Sequence, residues 1–304
     1  MIETIDVQAV PSPCFIVDQQ AIEQNLSVLG YVKEKTGAKI LLALKSFAMF
    51  STFPVLNKVL DGTCASSLDE ALLGNEEFGG EVHTFSPAYS DTSFKNILAV
   101  SDHIVFNSLN QWQRFKPLCQ EKSSHVTFGL RINPEHSENA TPLYDPCRPC
   151  SRLGIRSQEL DGFNFEGISG LHFHSLCEQD SYALERTLIA VEAKFGHYLK
   201  AMKWVNWGGG HHITRANYDV EHLCRLISAF AEKYNVQIYL EPGEAVVLNA
   251  GIFVTTVLDI IENDGHIAIV DASASTHLPD VLEMPYRPNI VGSGEANDKA
   301  YTYL

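Results

Sequence analysis

The chain has 304 residues, 45% of them hydrophobic and 19% charged, a globular composition that excludes a fibre or a disordered chain. Its 37 acidic and 22 basic residues give a formal charge of −15 with no polybasic run, which excludes nucleic acid and anionic membranes as expected partners; such a field either favours the approach of small cations or simply keeps the chain soluble. No stretch approaches the ~18 uninterrupted apolar residues of a membrane span. Met1 to Gln20 is acidic where a secretory signal would be basic. The seven cysteines fit reduced thiols. The expected location is therefore cytoplasmic.

In chain order, Pro13 to Asp18 reads as a strand. From Lys39 onward, short β-rich runs alternate with amphipathic stretches, the pattern of a parallel sheet covered by helices. The runs are Lys39 to Leu44, Thr63 to Ala65, Glu81 to Phe85, Asp102 to Phe106, His125 to Ile132, Gly167 to Phe173, Trp204 to Trp207 and Gln237 to Leu240. Predicted helices between them include Ser67 to Phe78 and Val220 to Tyr234, the second with Leu223, Ile227 and Phe230 on one face. Eight such units in about 200 residues predict an α/β fold, a (β/α)8 barrel of the triosephosphate isomerase type. Past Pro242 the pattern turns β-rich, with Gly251 to Ile260 and His266 to Asp271. The expected organisation is residues 1–24 as an N-terminal strand joining a β domain, 25–245 as the barrel and 246–304 as an incomplete C-terminal all-β domain.

Barrels of this kind place their chemistry just beyond the C-terminal ends of the strands. Lys45 follows the first run, where burial would drive its amine toward the neutral, nucleophilic form that an aldehyde cofactor needs; the alternative is a lysine that snorkels into solvent. Arg131 ends the fifth run and serves either a cofactor or carboxylate or a structural ion pair. His172 and His174 end the sixth; His174 is the expected functional one and the other is packed in the wall. Gly208, Gly209 and Gly210 follow the seventh and let backbone N–H groups approach an anion, unless they only make a tight turn. Glu241 follows the eighth, where a carboxylate against a pyridine nitrogen would keep that nitrogen protonated.

These residues, in this order, resemble the fold-type III pyridoxal phosphate enzymes, the group of alanine racemase and of ornithine and diaminopimelate decarboxylases. Leu44-Lys45-Ser46, Cys64-Ala65-Ser66, Phe173-His174, Gly208 to Gly210 and Glu241-Pro242-Gly243 carry the match over nearly the whole chain. Within the group the chain most resembles the decarboxylases of carboxynorspermidine and carboxyspermidine. That match rests on Pro146 to Gly154, Trp207 to His212, Asp271-Ala272-Ser273 and His277 to Pro288. The resemblance implies pyridoxal 5′-phosphate held by Lys45, Arg131, His174, Gly208, Gly209, Gly210, Glu241 and Gly243, with Lys45 and His174 catalytic. It also implies a small cationic carboxylated polyamine as substrate, bound by Glu244 and Asp280, and a homodimer with shared active sites.

Family decarboxylases carry a Gly-Pro-x-Cys-x-x-x-Asp segment just beyond the region matched, and the chain stops at Leu304. The expectation is therefore a C-terminally shortened member with weak cofactor binding or slow turnover, or a non-catalytic pyridoxal phosphate binder. A racemase is a further reading. Another is a metal-dependent barrel hydrolase using His172 and His174 with His211, His212 or Asp271, although such enzymes place the His-x-His pair on the first strand. No metal is expected.

Overall fold

The computed structural model describes residues 5–122, 125–139, 141–295, 298–299 and 302–303; the first four residues of the expected N-terminal strand segment, and part of the last ten of the expected β domain, lie outside them. The chain divides into two compact units, Gln19–Asn249 and, together, Met1–Asp18 and Ala250–Leu304. Among the described residues no helix is long and apolar enough to cross a membrane.

The smaller unit begins with β1 (Cys14–Val17). In the larger unit α1 (Gln19–Thr36) buries Ile22, Leu26, Leu29 and Val32, a stripe at helical spacing. Eight parallel strands follow: β2 (Lys39–Ala43), β3 (Gly62–Ala65), β4 (Glu81–Phe85), β5 (His103–Phe106), β6 (Thr127–Arg131), β7 (Ile168–His172), β8 (Trp204–Asn206) and β9 (Gln237–Leu240). Each pairs with the next, and β9 returns to β2 through Lys39 opposite Tyr239 and Ile40 opposite Leu240, so the sheet closes into a barrel. All eight predicted runs are barrel strands.

Around the strands lie α2 (Phe53–Leu56), α3 (Leu68–Leu73), α4 (Asp91–Val100), α5 (Leu109–Lys122), α6 (Ser181–Leu199), α7 (Val220–Tyr234) and α8 (Glu244–Val247). Side-chain caps fix their starts: Ser67 accepts from Glu70 N–H, Ser90 from Ser93 N–H, Asp180 from Tyr182 and Ala183 N–H, and Asp219 from His222 N–H. The predicted helix from Ser67 to Phe78 changes at Gly74 into a π-helical turn, where a Cβ would stand 2.2 Å from the Thr63 hydroxyl oxygen. The connection from β6 to β7 carries only 3-10 turns, Pro142–Tyr144 and Ser157–Leu160, and no α-helix among its described residues. It is stitched to the barrel by an Ile132–Ile155 bridge.

Small residues shape the interior. At Gly170 a Cβ would lie 2.1 Å from the Trp204 ring, and at Gly129 2.3 Å, so these glycines make room for the indole. Trp204 packs there with Leu41, Val105 and Tyr239. Below it, at the strand starts, Glu81 gathers Lys39, the Tyr239 hydroxyl at 3.0 Å and His83 Nε2 at 3.2 Å, with His103 Nε2 at 3.7 Å. This polar plug seals the end of the barrel opposite the predicted site.

In the smaller unit β10 (Gly251–Val254) pairs antiparallel with β1, and β11 (Val257–Glu262) forms a hairpin with β12 (His266–Val270). The predicted run Gly251 to Ile260 is thus two strands, broken at Thr255 and Thr256. Asp271 secures that break by accepting from the Thr255 hydroxyl at 2.6 Å and Thr256 N–H at 2.9 Å.

Candidate active site

The barrel brings Lys45, Arg131, His174 and Glu241 to one mouth, where they line a cavity of about 270 Å³ with Cys64 and Phe85. Lys45 is exposed, and the burial expected from its apolar run is not found. The physical reason is local. Leu44 N–H makes the last wall hydrogen bond, to Cys64 O at 3.1 Å, and then Ser46 and Phe47 N–H turn back to Ala43 O, which lifts Lys45 into the open mouth. Gly243 permits the turn after β9 to press against this one, since a Cβ there would meet the Ser46 Cβ at 2.3 Å.

Glu241 is 8% exposed; Asn206 Nδ2 donates to Oε1 at 2.7 Å, and His172 Nε2 lies 3.4 Å from Oε2. Burial pushes its carboxyl up, but the His172, His83 and His174 rings outweigh that and bring it to about 2. A carboxylate accepts about four hydrogen bonds, so capacity remains for a donor from the cavity. His172, 1% exposed, is the wall histidine of the pair, its ring tilted 30° against that of Phe85 with centroids 5.4 Å apart. His174 lies past the strand end on the cavity side, and burial, then Lys45 and Arg131, hold its ring well below the usual imidazole range. It is therefore uncharged at neutral pH.

Arg131 donates to His174 O at 3.1 Å and stacks its guanidinium 4.6 Å from the centre of the Phe85 ring, which fixes its plane at the cavity wall. Burial brings it down to about 10, opposed by Glu241. Gly208 and Gly210 have φ of +69° and +81°, and side chains there would strike the Phe173 and Leu176 carbonyls. Gly208 N–H is committed to Asn206 Oδ1 at 2.8 Å, whereas Gly209 N–H has only a 3.4 Å contact with His174 Nδ1. Glu244 opens α8, half exposed, with Oε1 3.5 Å from His212 Nε2. Asp280 is exposed in the short helix Asp280–Glu283 of the smaller unit and is not among the residues gathered at the barrel mouth.

Sequence reasoning missed Asn206, the residue that orients both Glu241 and Gly208. The available signal was a polar residue at the end of the apolar strand Trp204 to Asn206, buried and hence in need of partners. It also missed Arg152 and Leu153, which line the cavity from the long β6–β7 connection. The hydrolase reading has no matching cluster: among the described residues, the histidine and carboxylate atoms close enough to share an ion belong to Glu81, His83 and His103. These sit at the opposite end, where Lys39 already neutralises Glu81.

Four histidines are held neutral by burial above all, His103 at about 3, His211 at about 4, and His172 and His174 below the usual range. Their folded pKa values lie below the unfolded value of about 6.5, so the unfolded chain binds protons first as pH falls. Stability is complete above about pH 6.5, and each group removes about 1.4 kcal/mol per pH unit below it until its folded pKa is reached. Denaturant midpoints measured at pH 7.5, 6 and 5 are expected to fall steadily. A flat profile down to the carboxylate range would contradict this.

No protein-family profile matches the chain. The carboxynorspermidine/carboxyspermidine decarboxylase of Campylobacter jejuni is 44% identical over 286 residues, 94% of this chain and 74% of the relative. The carboxyaminopropylagmatine decarboxylase of Synechocystis is 41% identical over 295 residues, 96% of this chain and 76% of the relative. The crystal structure of C. jejuni carboxynorspermidine decarboxylase complexed with norspermidine superposes with a TM-score of 0.82 at 44% identity, covering 91% of this chain and 72% of that one. The barrel, the residues at its mouth and this degree of identity agree, and the chain belongs to the carboxynorspermidine/carboxyspermidine decarboxylase family.

Proposed function

We propose that the barrel mouth binds pyridoxal 5′-phosphate and that the chain decarboxylates carboxynorspermidine and carboxyspermidine to norspermidine and spermidine. The observation that carries this reading is the donor set around one cavity: the Lys45 amine, the Glu241 carboxylate, the Arg131 guanidinium and the neutral His174 ring. The set fits the cofactor, because it offers an amine for the aldehyde, a fixed anion for the pyridine nitrogen and a backbone loop for the phosphate. A Cβ at Gly209 would stand 2.4 Å from Glu241 O, so that loop must be free of side chains.

Bound pyridoxal phosphate supplies an electron sink for the pair left on the α-carbon when CO₂ departs. The chain's own residues do the rest. Lys45 would supply the amine that holds the cofactor, and the cofactor would supply the aldehyde carbon it reacts with. Glu241, ionised at neutral pH, would hold the proton of a pyridine nitrogen, and Asn206, with the His172 ring beside it, orients that carboxylate. His174, neutral at the cavity wall, would cover the ring face without adding charge. Gly208 to Gly210 would approach its phosphate, and Glu244 would take an ammonium group of the substrate by a charge-assisted hydrogen bond. The homodimer expected from the sequence belongs to the same proposal.

The test is CO₂ release by the purified, cofactor-loaded chain from carboxynorspermidine, carboxyspermidine and carboxyaminopropylagmatine. Release from the first two is expected. Preference for the third would reassign the substrate to a guanidinium-ended chain, and no release from folded, cofactor-loaded protein would leave a non-catalytic binder.

A further inference from the structure

Pro146 to Gly154 carries part of the family match, and its last residues are laid onto the barrel mouth with little freedom. Asn107, directly after β5, grips them with one amide: its Nδ2 donates to Arg152 O at 2.7 Å, and its Oδ1 accepts from Gly154 N–H at 2.8 Å. Ile155 N–H donates to Arg131 O at 2.9 Å, and Asn133 N–H to Ile155 O at 2.8 Å. Gly154 has φ of +83°, and a Cβ there would stand 2.8 Å from Ile132 O, so the segment lies flush against the end of β6. Arg152 thereby has a fixed place at the cavity wall.

Its side chain has no internal use. Arg152 is exposed and makes no hydrogen bond or ion pair among the described residues, and it acts on Arg131 as a like charge. Among the described residues Lys45, Arg131 and Arg152 line the cavity as cations, against the single carboxylate of Glu241. A guanidinium in that position repels the ammonium groups of a polyamine, so the charge has to be matched by an anion that enters the cavity. Two can do so, the phosphate of the cofactor and the carboxylate of the substrate. The phosphate has the Gly208 to Gly210 loop after β8, whereas Arg152 is held at the ends of β5 and β6, at least two strands away in the barrel. The carboxylate is left for Arg152.

We propose that Arg152 receives the carboxylate of the incoming substrate by a charge-assisted hydrogen bond, and so distinguishes the carboxylated polyamine from its own decarboxylated product. The inference rests on the decarboxylase reading of the site and adds a specificity residue to it. The contact is made to the group that leaves and has no counterpart in the product. It therefore strengthens substrate binding without holding the product back, and it leaves the bond-breaking step alone.

The experiment reads Arg152→Gln in three ways: kinetics of the cofactor-loaded protein on carboxynorspermidine, calorimetric titration of the same protein with norspermidine, and titration of the apoprotein with pyridoxal phosphate. KM is expected to rise about tenfold with kcat changed less than about twofold. Norspermidine, which lacks the carboxylate, and pyridoxal phosphate should bind no more weakly than in wild type. The fold should persist, because Asn107 holds the main chain of Arg152 and not its side chain. Arg152→Lys should recover part of the loss, since it restores the charge without the fork of donors. Lys200→Gln, exposed at the end of α6, removes an equal charge elsewhere and should change none of the three. An unchanged KM in Arg152→Gln would overturn the assignment while leaving the decarboxylase reading intact. Equal weakening of substrate and norspermidine would also overturn it, as would a loss confined to pyridoxal phosphate, which would hand the charge to the phosphate. No CO₂ release from carboxynorspermidine by the wild-type protein would instead overturn the decarboxylase reading, and the role of Arg152 with it.

Discussion

Lys45→Ala will lose the absorbance between about 400 and 430 nm that a lysine-bound pyridoxal phosphate shows, and turnover will fall on the order of 10⁴-fold or more. The size of the effect follows from the absence of a substitute. Among the described residues no other lysine lines the cavity, and Arg131, brought down only to about 10, keeps its charge at physiological pH. The fold should be untouched, because Lys45 is exposed and makes no hydrogen bond or ion pair among the described residues. A surface substitution of that kind changes stability by about 0.5 kcal/mol or less. The spectrum and a thermal melt on the same sample separate the two consequences. A persisting band with an unchanged melt would mean that another amine carries the cofactor.

The second large effect is expected at Glu241. Glu241→Gln keeps the volume and an oxygen for Asn206 Nδ2, but removes the charge that keeps a pyridine nitrogen protonated. Turnover should fall on the order of 10²-fold to 10³-fold, about 3 to 4 kcal/mol in the barrier, with the coloured band retained. Glu241→Ala adds a structural cost, since it strands the Asn206 amide and opens a gap beside His172 in the barrel interior. The comparison is therefore diagnostic: similar turnover losses in both, with a lower melting temperature only in the alanine variant, place the effect in the charge. Full activity in Glu241→Gln would remove this residue from the mechanism.

The barrel was legible because its strands are short apolar runs separated by capped helices, a pattern that survives without any knowledge of contacts. The placement of Lys45, His174, Gly208 to Gly210 and Glu241 just past the strand ends was legible for a related reason, since each directly follows such a run. Their environment was not. Whether Lys45 is buried depends on one turn between Ala43 and Phe47, and periodicity does not report turns. Asn206 gains its meaning only when β8 lies beside β9, because its partner Glu241 is 35 residues away. The β6–β7 connection has neither helical nor strand periodicity, so although Pro146 to Gly154 carries part of the family match, no periodicity placed Arg152 and Leu153 at the cavity.

The seam between β2 and β9 sets a timetable for making this protein. Lys39 pairs with Tyr239 and Ile40 with Leu240, residues far apart along the chain. At about 5–20 residues per second, a ribosome needs roughly 10–40 s to travel from one side of that seam to the other. Throughout that interval β2 has emerged with one edge unpaired, and the growing sheet is an open ribbon whose edge invites other chains. Closure must also bear the loop entropy of a very distant contact before any of its gain is realised. Nascent chains halted before residue 237 should thus be the ones that aggregate or recruit chaperones, and release of β9 should end that dependence.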